Sequence, residues 1–190
     1  WSLKPVSDSE LPAAESPSSS HPVDRFIEAR LAAAGLELSS LAKPRTLLRR
    51  LNLVLTGLPP TPEEAREFEQ QSDHHPDSSQ NAAYTDLVDR LLDSPHFGER
   101  WARHWLDLVR FAESNGYAFD KDRPNAFRYR DFVIRAFNND MPYDRFVRQI
   151  LTATGNVSVS PPVQWYAEVR YLDRYVDDTA QVFLGLRIGC

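Results

Sequence analysis

The sequence predicts an all-α protein, an irregular bundle of about seven or eight helices preceded by a flexible Pro/Ser-rich N-terminal segment. Apolar residues recur at the three- and four-residue spacing of one helix face in successive stretches of the chain. Residues typical of helix starts and ends, such as a first-turn proline or a glycine past the last turn, separate these stretches. Apolar and polar residues show no sustained alternation, so a sheet-based core is not expected.

Composition limits the possible classes of protein. The chain has 190 residues, 42% hydrophobic and 26% charged, which suits one globular domain or at most two. Its formal net charge of -5 gives no basic surface for nucleic acid, so no nucleic-acid partner is expected. No apolar run approaches the roughly 20 residues that cross a bilayer, so no membrane span is expected. The one cysteine, Cys190, excludes both a disulfide framework and a cysteine-rich metal site within the chain.

Three parts are predicted along the chain. Residues 1–22 contain four prolines and several serines, and we expect them to form a flexible linker. Residues 23–155 are the predicted helical core domain. Residues 156–190 are predicted to be an extended loop followed by a C-terminal helix.

Three helices are predicted at the start of the core domain. The first begins at Asp24 and ends at Gly35, and the second covers Arg45–Thr56 before Gly57. In both, the glycine supplies the left-handed residue that often ends a helix. The third begins in Thr61–Glu64, where a threonine and a glutamate three residues apart can form a capping box around a first-turn proline.

Three more helices follow an exposed loop that is predicted at 72–81. Tyr84–Leu92 has a regular apolar stripe and is the fourth helix. Phe97–Ala112 is the fifth, and its two tryptophans one turn apart make it the predicted centre of the core. Ala126–Phe137 is the sixth.

Pro142 opens a seventh predicted helix. Its start, Pro142–Val147, is similar to Pro22–Ile27, which we interpret as a reused helix start because one match does not establish a repeat. The stretch 163–171 fits either a short strand or an extended crossing segment. A last amphipathic helix is predicted from about Asp177.

His104 is a candidate catalytic residue. It lies one turn from Arg100 and Asp107, so a carboxylate can orient its imidazole for proton transfer. No serine or cysteine nucleophile is tied to it by sequence, and an ordinary structural histidine is the favoured interpretation.

Three acids, Glu113, Asp120 and Asp122, are the other catalytic candidates. They surround an Asn-Gly turn, where carboxylates can bind a hard cation or, as a pair, serve in glycoside cleavage. Their spacing matches no EF-hand loop, and neighbouring basic residues favour local ion pairs. No metal site is therefore predicted.

Two short patterns carry less information. His74 and His75 lie in a polar loop, and two adjacent histidines cannot form a metal site unaided. Asn156–Ser158 matches a glycosylation sequon, a pattern short enough to recur by chance.

Three stretches of the chain together resemble one family: "LPPTPEE", "LLDSPHFGERWARHWLDLVRFAESNGYAFDKDRPNAFRYRDFVIRAFNNDMPYDRFVRQIL" and "VFLGLRIGC". This is the planctomycete cytochrome c-associated domain family, a domain of unknown function in large exported proteins of environmental bacteria. The resemblance covers about Val23–Leu151 and then Thr179–Cys190.

The resemblance implies a role for Cys190. In the family, the counterpart of "LGLRIGC" usually continues into Cys-X-X-Cys-His, the attachment signature of c-type haem, so Cys190 resembles the first haem-linking cysteine. This chain lacks the second cysteine and the histidine, so we expect no cofactor in this fragment and haem c in its full-length parent. Trp101, Trp105 and Phe183 are then candidate residues of the haem wall.

The resemblance also implies a periplasmic or extracellular location. The implied partners are neighbouring domains of the same polypeptide and a redox partner protein. By itself, the chain is not expected to be a complete enzyme.

Three functions are compatible with the sequence. The first is a helical module associated with a c-type cytochrome centre for electron transfer in an exported multidomain protein. The second is a binding module, for instance for polysaccharide, with Trp165, Tyr166 and Tyr171 as exposed platforms. The third is a hydrolase that uses His104 or the three acids.

Overall fold

The computed structural model describes residues 4, 5, 7–13, 21–72, 82–116, 120–167 and 172–188. Over these residues the chain forms nine α-helices and one 3-10 helix, without a β-strand, which confirms the predicted all-α class. The α-helices are α1 Pro22–Ala33, α2 Pro44–Leu55, α3 Pro62–Ser72, α4 Ala82–Leu92, α5 Pro95–Leu108, α6 Ala126–Asn138, α7 Tyr143–Leu151, α8 Gln164–Ala167 and α9 Leu172–Leu184. The 3-10 helix covers Pro161–Val163.

The chain divides into two compact units, residues 1–42 and 43–190. The first unit contains α1, whose side chains are all at least partly exposed. Gly35 ends α1 with a φ of 69°, as its sequence predicts. The division into 1–22, 23–155 and 156–190 stays a prediction.

Local sequence signals set the boundary between α2 and α3. Gly57 follows α2 with a φ of 74°, the left-handed conformation that its position predicts. The backbone N–H of Glu64 donates to the Thr61 hydroxyl at 3.2 Å, and the backbone N–H of Thr61 donates to Glu64 Oε2 at 2.8 Å. The predicted capping box is therefore confirmed.

Helices α2, α3 and α4 pack together around a small apolar cluster. We call it the N-terminal core cluster; it consists of Leu48, Ala65, Phe68, Leu87 and Leu91. Leu48, Leu87 and Leu91 lie on the helix faces whose spacing predicted α2 and α4.

Helices α5 and α6 form the most extensive helix pair of the second unit. Gly98 permits their close approach, because a Cβ there would lie 2.6 Å from the Ile134 carbonyl oxygen. The Asn138 side chain accepts from Gly98 N at 2.7 Å and donates to the Pro95 carbonyl at 3.1 Å. The end of α6 thus satisfies backbone groups in the first turn of α5.

A larger cluster, rich in aromatic residues, lies between α5 and the elements that follow it. We call it the C-terminal core cluster; its buried members are Ala102, Trp105, Leu106, Tyr129, Phe132, Val133, Ala136, Phe146, Ile150 and Trp165. Phe146 meets Trp105 edge to face, with ring centroids 4.9 Å apart, and stacks on Phe132 at 5.6 Å. The predicted central helix does contribute to this core through Trp105.

Two helix boundaries differ from the prediction. The fifth helix ends at Leu108 rather than Ala112, because Arg110 takes a left-handed φ of 54° and the chain leaves the helix there. The last helix begins at Leu172 rather than near Asp177. The loop expected at 72–81 lies outside the described residues except for Ser72, the last residue of α3.

The strand or extended segment considered for 163–171 is wrong over its described part. Pro161 and Pro162 open a 3-10 helix that continues directly into α8, and 168–171 lie outside the described residues. Proline favours a first helical turn, since its missing N–H needs no partner there. A helix of four residues is too short to show a helical period.

Candidate functional site

His104 lies on an exposed face of α5. Its ring contacts the Trp101 indole, with centroids 5.3 Å apart and planes inclined by 60°. Within the described residues, no hydrogen bond or ion pair joins the imidazole to Asp107 or to any other group. The carboxylate-oriented imidazole is not formed there, and a catalytic role for His104 stays a prediction.

The three candidate acids lie in one loop but have separate partners. Glu113 pairs with Arg130 of α6 at 2.5 Å, and Asp120 accepts from the Gly116 backbone N–H at 3.1 Å. Asp122 forms an isolated backbone bridge with Ser114. Within the described residues, no three His, Cys, Asp or Glu side chains converge on a possible metal position. These contacts tie down the loop, and the ion pair of Glu113 is with an arginine of α6 rather than with a basic neighbour in the loop.

The proposed haem-wall residues separate into two environments. Trp105 is buried, and its indole N–H donates to the Tyr129 hydroxyl at 3.0 Å. Phe183 of α9 lies against the same indole, with ring centroids 5.7 Å apart. Trp101 instead packs on Phe97 at the periphery of α5. Trp105 and Phe183 are therefore members of one packed core, whereas Trp101 is not.

Burial of the Trp105 and Tyr129 pair makes the Tyr129 phenol harder to ionise. Desolvation raises the pKa of the Tyr129 phenol to about 12, against a smaller lowering by the hydrogen bond from Trp105. Tyr129 thus remains neutral at physiological pH and acts as the acceptor that satisfies the indole.

The aromatic residues of the binding-module hypothesis do not form the expected exposed platform. Trp165 is only 5% exposed, and its ring meets Phe183 edge to face at 5.8 Å. Tyr166 stacks on Tyr175 at 5.0 Å and donates its hydroxyl to the Leu151 carbonyl. Desolvation, with the neighbouring Tyr175 phenol, raises the pKa of Tyr166 to about 12. Tyr171, the third ring, lies outside the described residues.

Helix α9 is attached to the end of α5 through one arginine. The Arg110 guanidinium pairs with Asp178 and donates to Gln181 Oε1 at 2.8 Å. Arg110 occupies the left-handed position just after α5, where glycine is the favoured residue. Its side chain therefore stabilises α9 at the expense of local backbone strain.

The segment after α9 turns back along the helix. Gly185, with a φ of 64°, allows this turn, and Leu186 N donates to the Ala180 carbonyl at 3.1 Å. Ile188 N donates to the Asp177 carboxylate at 3.1 Å. Residues 185–188, which we call the C-terminal tail, are thus fastened to α9 at two points.

Apolar side chains of this region are open to solvent. Leu184 is 69% exposed, Leu186 47% and Ile188 57%. A single exposed apolar side chain is ordinary, but three within five residues form a local apolar surface. We call Leu184, Leu186 and Ile188 the apolar end of α9.

One protein family matches the chain over most of its length. The family model described as PSCyt2, protein of unknown function (DUF1549), matches residues 22–190. The chain belongs to this family. The DUF1549 match includes all nine helices of the described residues and also the C-terminal tail. No curated protein and no solved structure match the chain.

Several predicted features of this DUF1549 domain lie outside the described residues: His74, His75 and Cys190. At the sequon, the Asn156 side chain accepts from Ser158 N at 2.8 Å and so closes a local turn. Within the described ranges, no helix combines the length and the apolar character needed to cross a membrane.

Sequence reasoning missed Arg110 and Asp177, the two residues that fasten α9 and its tail. Asp177 was recognised only as a helix start, although its carboxylate accepts from a backbone group eleven residues later. Arg110 carries no local signal, because its partners on α9 lie 68 and 71 residues away. Such pairs appear only in the folded chain.

Proposed function

We propose that this domain is the helical scaffold of a c-type cytochrome centre in an exported bacterial protein of planctomycete type. Cys190 is then the first haem-linking cysteine of the parent protein, and the location is periplasmic or extracellular. Its partners are neighbouring domains of the same polypeptide and a redox partner protein. The haem, when bound, supplies reversible one-electron transfer.

The observation that carries the proposal is the attachment of the C-terminal tail. Ile188, two residues before Cys190, is held to Asp177, and Leu186 is held to Ala180. A covalent cofactor site needs its linking residues on a supported element. The two hydrogen bonds supply such a support immediately before the cysteine.

The apolar end of α9 fits an apolar macrocycle. Leu184, Leu186 and Ile188 lie within the six residues before the proposed attachment point in the sequence and expose apolar surface, and burying it against a porphyrin gains roughly 25 cal/mol per Å². These three residues would hold the group by apolar contact. The core aromatic residues Trp105 and Phe183 pack against each other, and this contact would hold α9 on the core.

The family match and the resemblance both include the C-terminal end of the chain. The DUF1549 match extends to residue 190, so "LGLRIGC" belongs to the pattern of the family. The resemblance supplies the expected continuation into Cys-X-X-Cys-His.

An absorption spectrum tests the proposal. The gene is extended several dozen residues past Cys190 and expressed with a cytochrome c maturation system, and the protein is purified under denaturing conditions. We expect a Soret band that remains with the polypeptide, because c-type haem is bound through thioether links. Cys190→Ala should remove one of the two thioether links and reduce the retained band.

Ser160→Ala provides a matched control, since Ser160 lies directly before the 3-10 helix, outside the tail. It should retain the full Soret band. An extended protein that is folded but carries no covalent haem under these conditions would sink the proposal.

A second variant tests the support role of the tail. Asp177→Ala removes the carboxylate that accepts from Ile188 N and should lower the yield of haem attachment without removing a linking residue. Attachment as efficient as in the wild type would show that the fastened tail is not needed.

A further inference from the structure

An asparagine is followed directly by a glycine at one place in the sequence, Asn115–Gly116. The backbone nitrogen of the residue after an asparagine lies close enough along the chain to attack the side-chain amide and close a succinimide ring. Glycine in the second place has no side chain to hinder that attack. Asn115 is exposed, so water can reach such a ring and ammonia can leave. This dipeptide can therefore react with itself.

Two backbone hydrogen bonds close the loop around this dipeptide. Asn115 N donates to the Lys121 carbonyl at 2.9 Å, and Arg123 N donates to the Glu113 carbonyl at 2.8 Å. Gly116 has a φ of 61°, a left-handed conformation that glycine adopts readily. The returning side of the loop is thus held beside the reacting groups.

A carboxylate contacts the nitrogen that would attack. The Gly116 N–H donates to Asp120 Oδ1 at 3.1 Å and to the Ser114 hydroxyl at 3.3 Å. A backbone amide is a poor nucleophile until it loses its proton, and a carboxylate within hydrogen-bond reach can act as the general base. Asp120 is therefore placed to take the proton as the new bond forms.

A guanidinium contacts the group that would be attacked. Arg123 Nε donates to Asn115 Oδ1 at 2.7 Å, and Arg123 has a further interaction besides this one. Attack on the side-chain amide carbon moves negative charge onto this oxygen, and a donor already aimed at the oxygen stabilises that charge. The same loop thus presents a base to the nucleophile and a donor to the electrophile.

We propose that Asn115 is a self-modification site, which the folded chain converts to aspartate and isoaspartate. Gly116 N forms a bond to Asn115 Cγ, its proton passes to Asp120, and the amide oxygen takes the negative charge beside Arg123. The bond from Cγ to Nδ2 then breaks, and the nitrogen leaves as ammonia with the proton returned from Asp120. Water opens the succinimide at either carbonyl. The product carries a new carboxylate next to the Arg123 guanidinium.

The first test compares the folded with the unfolded chain. The 190-residue chain is kept at neutral pH in either sodium chloride or denaturing guanidinium chloride of the same concentration. Mass spectrometry of the digested chain then follows loss of ammonia and gain of water at residue 115. We expect conversion about tenfold or more faster in the folded chain, within the ~10²–10⁴-fold that a positioned acid or base contributes. Asn156, exposed but followed by valine, is the internal reference and should stay unconverted.

Substitution of the base distinguishes chemical assistance from simple restraint. Asp120→Asn should slow the conversion about tenfold or more, because the proton acceptor is lost. If Asp120 only restrained the loop, its removal would leave the rate unchanged or raise it, since a freer backbone reaches the ring geometry more easily.

Asp122→Asn is the matched control for the base. It removes the same charge from the same loop, and its exposed carboxylate has no hydrogen bond or ion pair within the described residues. It should convert at the wild-type rate.

Substitution of the guanidinium tests the electrophile. Arg123→Met should slow the conversion about tenfold or more, since a charged hydrogen bond to the reacting oxygen is lost. Arg103→Met, on an exposed position of α5, is the control and should keep the wild-type rate. Circular dichroism confirms that each variant keeps the wild-type helix content.

Two outcomes overturn the proposal. The first is a folded wild-type chain that converts no faster than the unfolded one. The second is a folded Asp120→Asn or Arg123→Met chain that converts as fast as the wild type or faster. The proposal does not rest on the haem proposal: Cys190→Ala should convert at the wild-type rate, so failure of one is distinguishable from failure of the other.

Discussion

The two core clusters of residues 43–190 differ in the hydrogen-bond partners of their buried polar groups. Beside the N-terminal core cluster, two polar side chains of α2 bond within their own helix: Asn52 donates to the Leu48 carbonyl and Thr56 to the Asn52 carbonyl. In the C-terminal core cluster, Trp105 donates to Tyr129 across two helices, 24 residues apart.

The difference concerns how the helices satisfy their polar groups. A helix that satisfies its own polar groups needs only an apolar face to pack, and α2 is such a helix, whereas the Ser72 hydroxyl of α3 is buried without a partner among the described residues. The C-terminal core cluster contains a cross-helix polar pair, the buried Trp165 indole N–H, which has no partner among the described residues, and Arg110 with a left-handed φ at its edge. Features of this kind gather at functional sites, where local rules of folding are broken.

The largest expected effect is in the C-terminal core cluster. Phe146→Ala should lower the free energy of unfolding by about 3–5 kcal/mol, because it leaves a cavity and removes contacts with Trp105 and Phe132. Urea unfolding followed by circular dichroism measures it. Phe127→Ala is the matched control, since that ring is 40% exposed, and it should cost less than about 1 kcal/mol. Equal costs would mean that the aromatic cluster is not the main core.

Adjacent leucines test the N-terminal core cluster. Leu91→Ala should cost about 2–5 kcal/mol, because Leu91 is buried among α2, α3 and α4. Leu92→Ala, one residue later on the exposed face, should cost less than about 1 kcal/mol. The same urea titration distinguishes them, and a larger loss from Leu92→Ala would reverse the assigned faces.

Alkaline pH should destabilise the C-terminal core cluster selectively. The pKa of Tyr129 is about 12 in the folded state and near 10 when unfolded, so between these values the unfolded chain releases a proton that the folded chain keeps. Stability is therefore full below pH 10 and falls as pH rises through 12, by up to roughly 3 kcal/mol for this group. Urea unfolding at a series of pH values measures the slope.

Tyrosine variants show which phenol causes the fall of the unfolding free energy with pH. Tyr129→Phe should reduce it, while a smaller slope remains from Tyr166, whose pKa is also about 12. Tyr143→Phe removes an exposed phenol and should leave the wild-type slope. If Tyr129→Phe keeps the full slope, the burial of Tyr129 does not control alkaline stability.

Local features of the fold were predictable from the sequence. The capping box of Thr61 and Glu64 and the left-handed Gly57 depend on neighbouring residues only, and both were predicted. The end of α5 was misplaced because its left-handed residue is Arg110 rather than glycine. Its conformation follows from partners on α9, which no short window contains.

Candidate site residues were less predictable for the same reason. The sequence marked His104 and three acids by residue type, but the acids have separate partners and His104 lies on an exposed helix face. It marked Trp165 as an exposed ring, whereas packing against Phe183 buries it. Residue type alone does not tell which polar atoms lose their partners on folding; that follows from contacts between distant helices.

The smallest expected effect completes the comparison between the clusters. Asn52→Leu should change the free energy of unfolding by no more than about 0.5 kcal/mol, or increase it, because the whole amide is removed and its partner, the Leu48 carbonyl, is not left as a buried orphan. The Leu48 carbonyl keeps its helical backbone partner, and the carbonyl of residue 52 still accepts from Thr56. Tyr129→Phe at neutral pH should instead cost about 1–3 kcal/mol, because it orphans the buried Trp105 indole. A larger loss from Asn52→Leu than from Tyr129→Phe would show that the two clusters do not differ in how they satisfy their polar groups.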